Sequence, residues 1–156
     1  MQFNIRVYGV LLNDNNEVLV SDEYIKGLYI TKFPGGGLEF GEGTKDCLIR
    51  EFKEETGLDI TVGNHIYTTD FYQVSAFNPQ HQIMSIYYFV HCNNVVNLNI
   101  NKEPFVFPKH IVLDKNTRCE VFRFIPLATI NADDFNLPID KKVASILSKM
   151  INEKYC

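Results

Sequence analysis

The stretch "FPGGGLEFGEGTKDCLIREFKEETGL", Phe33 to Leu58, constrains this chain more than any other. It sets three glycines in a row ahead of Glu39, Glu42, Asp46, Glu51, Glu54 and Glu55. Thr44 to Thr56 reads as a helix. Thr44 or Gly43 can cap its start, Leu48 and Phe52 stand four apart, and Gly57 supplies a left-handed stop. At roughly 100° per residue, Glu51, Glu54 and Glu55 share one stripe while Leu48, Ile49 and Phe52 face elsewhere. Like charges at that spacing repel by about a few tenths of a kcal/mol per pair, so something must offset them. Three carboxylates on one stripe form a hard oxygen donor set suited to Mg²⁺ or Mn²⁺. Gly35, Gly36 and Gly37 add a turn whose carbonyls can approach a cation and whose N–H groups can approach an anion, with no Cβ in the way.

Around this stretch the pattern is mostly β. "FNIRVYGVLL" alternates, with Phe3, Ile5 and Val7 on one face and Asn4, Arg6 and Tyr8 on the other, and becomes apolar on both faces toward its end. "NDNN" is a turn signal, "EVLVS" a second strand, and the two read as a hairpin. "LYITKF" leads into the glycines, and "LDITV" follows the helix. "HIYTTDFYQVSAF" and "QIMSIYYFVHC" are two β-type runs joined as a hairpin through "NPQH". Asn93–Asn116 shows little periodicity, and "CEVFRFIPL" is a further strand. Pro138 to Tyr155 is an amphipathic helix with Val143, Ile146, Leu147, Met150 and Ile151 at helical spacing. Strands before, between and after two helices predict an α/β fold with a mixed sheet between helices.

At 156 residues the chain reads as one domain, 1–156, able to bury a core without staples. A net charge of −4 speaks against a nucleic-acid polymer held on a broad basic patch, and means that an anionic substrate needs local cations. Cys47, Cys92, Cys119 and Cys156 form no CxxC pair and no zinc spacing, which suits reduced thiols in the cytoplasm. The N-terminus lacks the basic run and cleavage site of a signal peptide, and no apolar run is long enough to span a membrane.

The glycine turn and its helix resemble the Nudix hydrolase box, G-x5-E-x7-R-E-U-x-E-E-x-G-U with U apolar. Gly36, Glu42, Arg50, Glu51, Phe52, Glu54, Glu55, Gly57 and Leu58 complete it. From average residue frequencies, a chance match in a chain of this length is roughly one in ten million, which makes the motif specific. The flanking layout extends the resemblance to most of the chain. The resemblance implies an α/β/α sandwich and metal-dependent (Mg²⁺ or Mn²⁺) hydrolysis of a pyrophosphate bond in a nucleoside diphosphate linked to another moiety. It also implies residue roles. Glu51, Glu54 and Glu55 would hold the metal, with a backbone carbonyl from Gly35 or Gly36. Arg50 would orient a box glutamate, Glu42 or Glu54, and Leu48, Phe52 and Leu58 would be core. Glu51 is favoured as general base, with Glu54 next. The resemblance further implies a loop carboxylate completing the metal site; Glu120 is the best-placed candidate, with Glu103 and Asp114 as rivals.

The box fixes the reaction and says little about the substrate. The proline that ADP-ribose hydrolases carry after the box is absent, Tyr72 and Gln73 filling that place. Tyr72 nearly matches the tyrosine of diadenosine polyphosphate hydrolases, against its reading as a packed strand residue. "NADDF", Asn131 to Phe135, is similar to a stretch of MutT-type 8-oxo-dGTP hydrolases, in which an asparagine amide can read a purine edge. Asn131 also suits a helix cap. Arg6 and Lys32 are candidates for phosphate contacts, against their reading as solvated strand residues. Phe71, Tyr72 and Tyr87 could stack on a base, and His81 could belong to a lid. The favoured substrate is a purine (d)NTP split to monophosphate and pyrophosphate, with a nucleotide sugar or dinucleotide next. A non-catalytic nucleotide-binding module is the alternative of another class, and a homodimer is compatible with the family.

Overall fold

A computed structural model describes residues 1–95 and 98–154, with side chains described through Ile151. Tyr155, where the sequence ends the last helix, and Cys156 lie outside the described residues. The chain divides into two compact units, Met1–Leu11 with Pro34–Val95, and Leu12–Phe33 with the described residues after Val95.

The first unit is a four-stranded sheet with one helix. Its strands are β1 (Gln2–Leu11), β4 (Gly35–Gly37), β5 (Thr61–Thr68) and β6 (His81–His91), in the order β4-β1-β6-β5. The sheet is mixed: β1 runs parallel to β6 over ten paired residues, and β4 and β5 are antiparallel to their neighbours. Val7 to Leu11 is buried throughout, the apolar run of a strand covered on both faces. Helix α1 (Thr44–Thr56) starts after Gly43, whose N–H donates to the Asp46 carboxylate at 3.2 Å, and stops at Gly57, which lies in the left-handed region (φ 73°). Leu48 and Phe52 are completely buried and Leu58 nearly so. The helix comes close to the sheet at Gly9, where an added Cβ would stand 2.7 Å from the Phe52 ring.

The second unit holds β2 (Glu17–Ile25), β3 (Leu28–Lys32), β7 (Ile100–Asn101) and β8 (Arg118–Pro126), in the order β3-β2-β8-β7. It is mixed too, with β7 parallel to β8 and the other pairs antiparallel. A 3-10 turn (Ala132–Asp134) leads to α2 (Pro138–Lys154). Helix α2 buries Ile139, Val143, Ala144 and Leu147, and Phe135 stacks on Phe33 at 4.5 Å between centroids. The edge strand β3 and the residue after it each give a donor to a side chain from this end of the chain. Thr31 N–H donates to Asn136 at 2.7 Å and Phe33 N–H to Asp140 at 3.4 Å.

The α/β class and the mixed strand directions hold, with the strands shared between two sheets. Three local expectations are corrected. The "NDNN" turn forms, and Leu12 bridges to Val18, but β1 and β2 do not pair along their lengths: each finds non-local partners. "LDITV" and "HIYTT" merge into the single strand β5. The run after Thr68 is not a strand and keeps one isolated bridge, Val74 to Gln82, so a long irregular connection replaces the short hairpin turn. His81 consequently begins β6 and does not sit in a loop. Among the described residues, no helix is long and apolar enough to cross a membrane.

Candidate active site

In the first unit, α1 and the glycine strand β4 are joined through one arginine. The Arg50 guanidinium grips Glu42 with two nitrogens, at 2.6 and 3.0 Å. Its Nη1 also donates to Glu51 Oε1 at 2.8 Å and to Glu54 Oε2 at 3.3 Å, and its Nη2 to the Gly37 carbonyl at 3.1 Å. The sequence expects Arg50 to orient one glutamate; the structure gives it three. The planar fork suits this task, since a guanidinium presents five donors in fixed directions. The charge crowding on the helix is therefore offset in part by the protein itself.

The electrostatic signature follows. The Glu42 carboxyl is lowered to about 2, first by the Arg50 fork and then by the Glu39 N–H that donates to it at 2.9 Å. Arg50 is raised above its already high value by Glu42 and then Glu51. Glu51 is mostly buried, and Glu54 remains 60% exposed.

Two glycines are required by close approach. A Cβ on Gly36 would lie 2.3–2.5 Å from the Glu51 carboxylate atoms, so this carboxylate occupies the space that any side chain at position 36 would take. Gly35 has φ 143°, and a Cβ there would meet the Val7 carbonyl oxygen at 2.1 Å. Among the described residues, no three His, Cys, Asp or Glu side chains converge closely enough to chelate an ion. The donor set still fits a hard dication. One guanidinium nitrogen touches both Glu51 and Glu54, so two carboxylate oxygens lie within two hydrogen-bond lengths of each other, and Glu51 is pressed against the Gly36 backbone.

Cys47 belongs to this cluster and was not singled out from the sequence. Its thiol donates to the Gly37 carbonyl at 3.4 Å and accepts from Arg50 Nη2 at 3.7 Å. Burial, and then the Glu42 charge, push it up to about 12. Its position three residues before Arg50, on the same helix face, is the signal that could have found it. Tyr88 on β6 was also missed; its hydroxyl meets Thr44 Oγ1 at 2.9 Å and ties the first turn of α1 to the sheet.

The other candidates separate by unit. In the first unit, Arg6 pairs in register with Gly37, and its Nε donates to the Tyr8 hydroxyl at 2.5 Å. Tyr72 lies outside any strand and is 71% exposed, which corrects its reading as a packed strand residue. Phe71 beside it is exposed, whereas Tyr87 is fully buried and stacks on Tyr8 at 5.2 Å, so Tyr87 is core. In the second unit, Lys32 is not a solvated strand residue. It is buried, with Glu23 at 3.8 Å and Glu120 at 3.9 Å. Glu120 accepts a hydrogen bond from the Ser21 hydroxyl. Its rivals Glu103 and Asp114 are exposed, and Asp114 is occupied by the turn at Asn116 and Thr117. Asn131 caps the 3-10 turn, accepting from Asp133 N–H at 2.8 Å, while its Nδ2 donates to the Thr129 carbonyl at 3.1 Å.

Fold and site together define an α/β protein with a carboxylate-bearing helix locked by arginine behind a glycine strand. The chain belongs to the Nudix family: the NUDIX domain model matches residues 2–142. Among curated relatives, it is 36% identical to Nudix hydrolase 2 of Arabidopsis thaliana over 99 residues, 60% of this chain and 32% of that protein. It is 35% identical to the 8-oxo-dGTP diphosphatase of Escherichia coli over 52 residues, 32% of this chain and 40% of that one. The chain thus spans about a third of the plant relative's length and well under half of the bacterial one's. A solved structure of a Nudix hydrolase from Nitrosomonas europaea superposes with a TM-score of 0.65 at 17% identity, covering 94% of this chain and 89% of that one. That likeness shows the fold.

Proposed function

We propose that residues 1–156 act as one Nudix domain that hydrolyses a pyrophosphate bond in a nucleoside diphosphate linked to another moiety. The observation carrying this reading is the complete box folded around Arg50, with Glu51 seated on Gly36. Glu51, Glu54 and Glu55, with the carbonyl of Gly36 or Gly35, would hold Mg²⁺ or Mn²⁺. When bound, such an ion neutralises the pyrophosphate oxygens and lowers the pKa of a coordinated water. Arg50 fixes Glu51 through Oε1, and Glu51 accepts the proton of the attacking water at Oε2. Glu54, more exposed and more loosely held, is the alternative base. The substrate favoured is a purine nucleoside triphosphate, released as monophosphate and pyrophosphate; the similarity to an 8-oxo-dGTP diphosphatase over 52 residues supports it. The thiols Cys47, Cys92 and Cys119 are unpaired with one another, which suits a reducing compartment such as the cytoplasm.

The test is a substrate panel of NTPs, 8-oxo-dGTP, ADP-ribose, nucleotide sugars and dinucleotides, each with Mg²⁺ or Mn²⁺, read as kcat/KM. The expected result is metal-dependent turnover, highest with a purine triphosphate, that falls about 100-fold or more in Glu54→Gln. Tight binding without turnover across the panel would make the chain a non-catalytic module. Full metal-dependent turnover in Glu54→Gln would remove the stripe from the mechanism.

A further inference from the structure

We propose that Tyr88 is a positioning residue for the box helix: its hydroxyl holds the first turn of α1 and, through Glu42 and Arg50, sets where the Glu51 carboxylate stands. This role rests on the pyrophosphohydrolase reading above and assigns that site a residue outside the box.

Helix α1 is mounted on one face of its sheet. Thr44, Cys47, Leu48, Glu51 and Phe52 recur at helical spacing and form the stripe turned to the strands. Toward the C-terminal end Phe52 fills the notch at Gly9, where Val90 Cγ1 also stands 3.0 Å from an added Cβ. Tyr88 pairs with Gly9 and lies two residues before Val90, so it faces the helix as well. Its hydroxyl meets Thr44 Oγ1 at 2.9 Å. Its ring is braced from β5. His65, its partner in the strand register, lies edge-on at 5.6 Å between centroids and sets Nε2 2.8 Å from Thr68 Oγ1.

Glu42 is the group that most needs this anchor. It stands between Gly41 and Gly43, and Gly41 takes φ 93°. Glycine on both sides leaves the backbone there with wide freedom, so the place of Glu42 depends on what pins the loop. Before it, Leu38 N–H donates to the Ile5 carbonyl at 2.9 Å; after it, Thr44 is tied to Tyr88. Arg50 then joins Glu42 to Glu51. Thr44 lies about 12 Å along the helix from Phe52. With Phe52 as pivot, a loosened first turn displaces Glu42 most and Glu51 itself least. Arg50 must then follow Glu42 and leave Glu51, or release Glu42; either way the 2.8 Å contact that fixes Glu51 or the fork on Glu42 is lost.

The experiment compares wild type with Tyr88→Phe, Thr44→Val, the pair of these, Thr44→Ser and a control, Thr117→Val. The Thr117 hydroxyl bonds the Val112 carbonyl at 2.8 Å in an exposed turn of the second unit, so its loss removes a comparable hydrogen bond elsewhere. One readout is kcat and KM on the best panel substrate. The other is hydrogen exchange of Arg50 Hε, which bonds Glu42 at 3.0 Å, followed by NMR in metal-free protein. Tyr88→Phe should lower kcat about 10-fold with KM within about twofold, and speed Hε exchange about fivefold, the effect of one lost hydrogen bond. Thr44→Val should match it, and the pair should lose no more than either single variant. Thr44→Ser, which keeps the hydroxyl, and Thr117→Val should both stay within about twofold of wild type. The proposal is overturned if Tyr88→Phe leaves Arg50 Hε as protected as in wild type, if exchange quickens with kcat unchanged, or if the penalties of the pair add. Absence of turnover in the wild type, with Arg50 Hε released in Tyr88→Phe, would instead refute the hydrolase reading alone.

Discussion

Replacing Gly36 with alanine tests the central contact of the site. The added methyl would sit 2.3 Å from Glu51 Cδ and 2.4–2.5 Å from its two oxygens, whereas ordinary contacts begin near 3.4 Å. The carboxylate must retreat by about 1 Å to restore normal contact, and a misplacement of that size costs about 100-fold in rate. Gly36 itself does not use the left-handed region, so backbone strain adds nothing. The blocking atoms end a flexible side chain, so the fold gives way there and nowhere else. Losing the 2.8 Å contact between Arg50 and Glu51, both partly solvated, should destabilise by about 1–2 kcal/mol, or a Tm lowered by about 2–8 °C. The decisive assay is a thermal cycle of Gly36→Ala, Glu51→Ala and the double variant. Removing the Glu51 side chain makes room for the methyl, so the Gly36→Ala penalty should vanish on that background. If the two penalties add, the methyl acts somewhere other than on Glu51 and the reasoning fails.

Other expectations can be checked directly. The Glu42 carboxyl should titrate near 2 by carbon-13 NMR, against an ordinary value of 4.5. Because its value is depressed on folding, its contribution to stability is complete above 4.5 and is lost as pH falls toward about 2; a midpoint near 4.5 would show that the Arg50 fork is open in solution. Lys32→Met should lower stability by about 1–3 kcal/mol by leaving Glu120 opposed to Glu23, which keeps Arg118 at 2.7 Å, and adding Glu120→Gln should recover part of the loss in denaturant titrations. Cys47, buried and raised to about 12, should resist maleimide in the native protein at pH 8 and react on unfolding, as peptide mapping would read. Rapid native labelling of Cys47 would contradict its burial.

What could be read in advance was local. The start and stop of α1 and the burial of Leu48 and Phe52 depend on spacing within a few turns of chain, and period and glycine report that faithfully. Asn131 as a cap was legible for the same reason: its partners are Asp133 and Asp134. The strand partners were not legible. Alternation says which face a residue of β1 uses, and says nothing of whether β2 or β6 lies beside it. Lys32 illustrates the cost. In sequence it is a charged strand residue of the kind usually solvated, and its burial beside Glu23 and Glu120 depends on carboxylates that arrive from other strands. Cys47 escaped notice because its partners, the Gly37 carbonyl and Arg50, converge only when the glycine strand closes on the helix.

The parallel pairing of β1 with β6 has a consequence for synthesis. Each of its ten residue pairs joins positions about eighty apart in the chain, which is a slow kind of contact to form. On the ribosome, this inner strand of the sheet emerges well before its partner and then waits while the whole acidic helix is made behind it. During that interval the edge of Val7 to Leu11 that β6 will cover stays open, since β4 pairs along the other edge, and such an apolar edge is prone to aggregation.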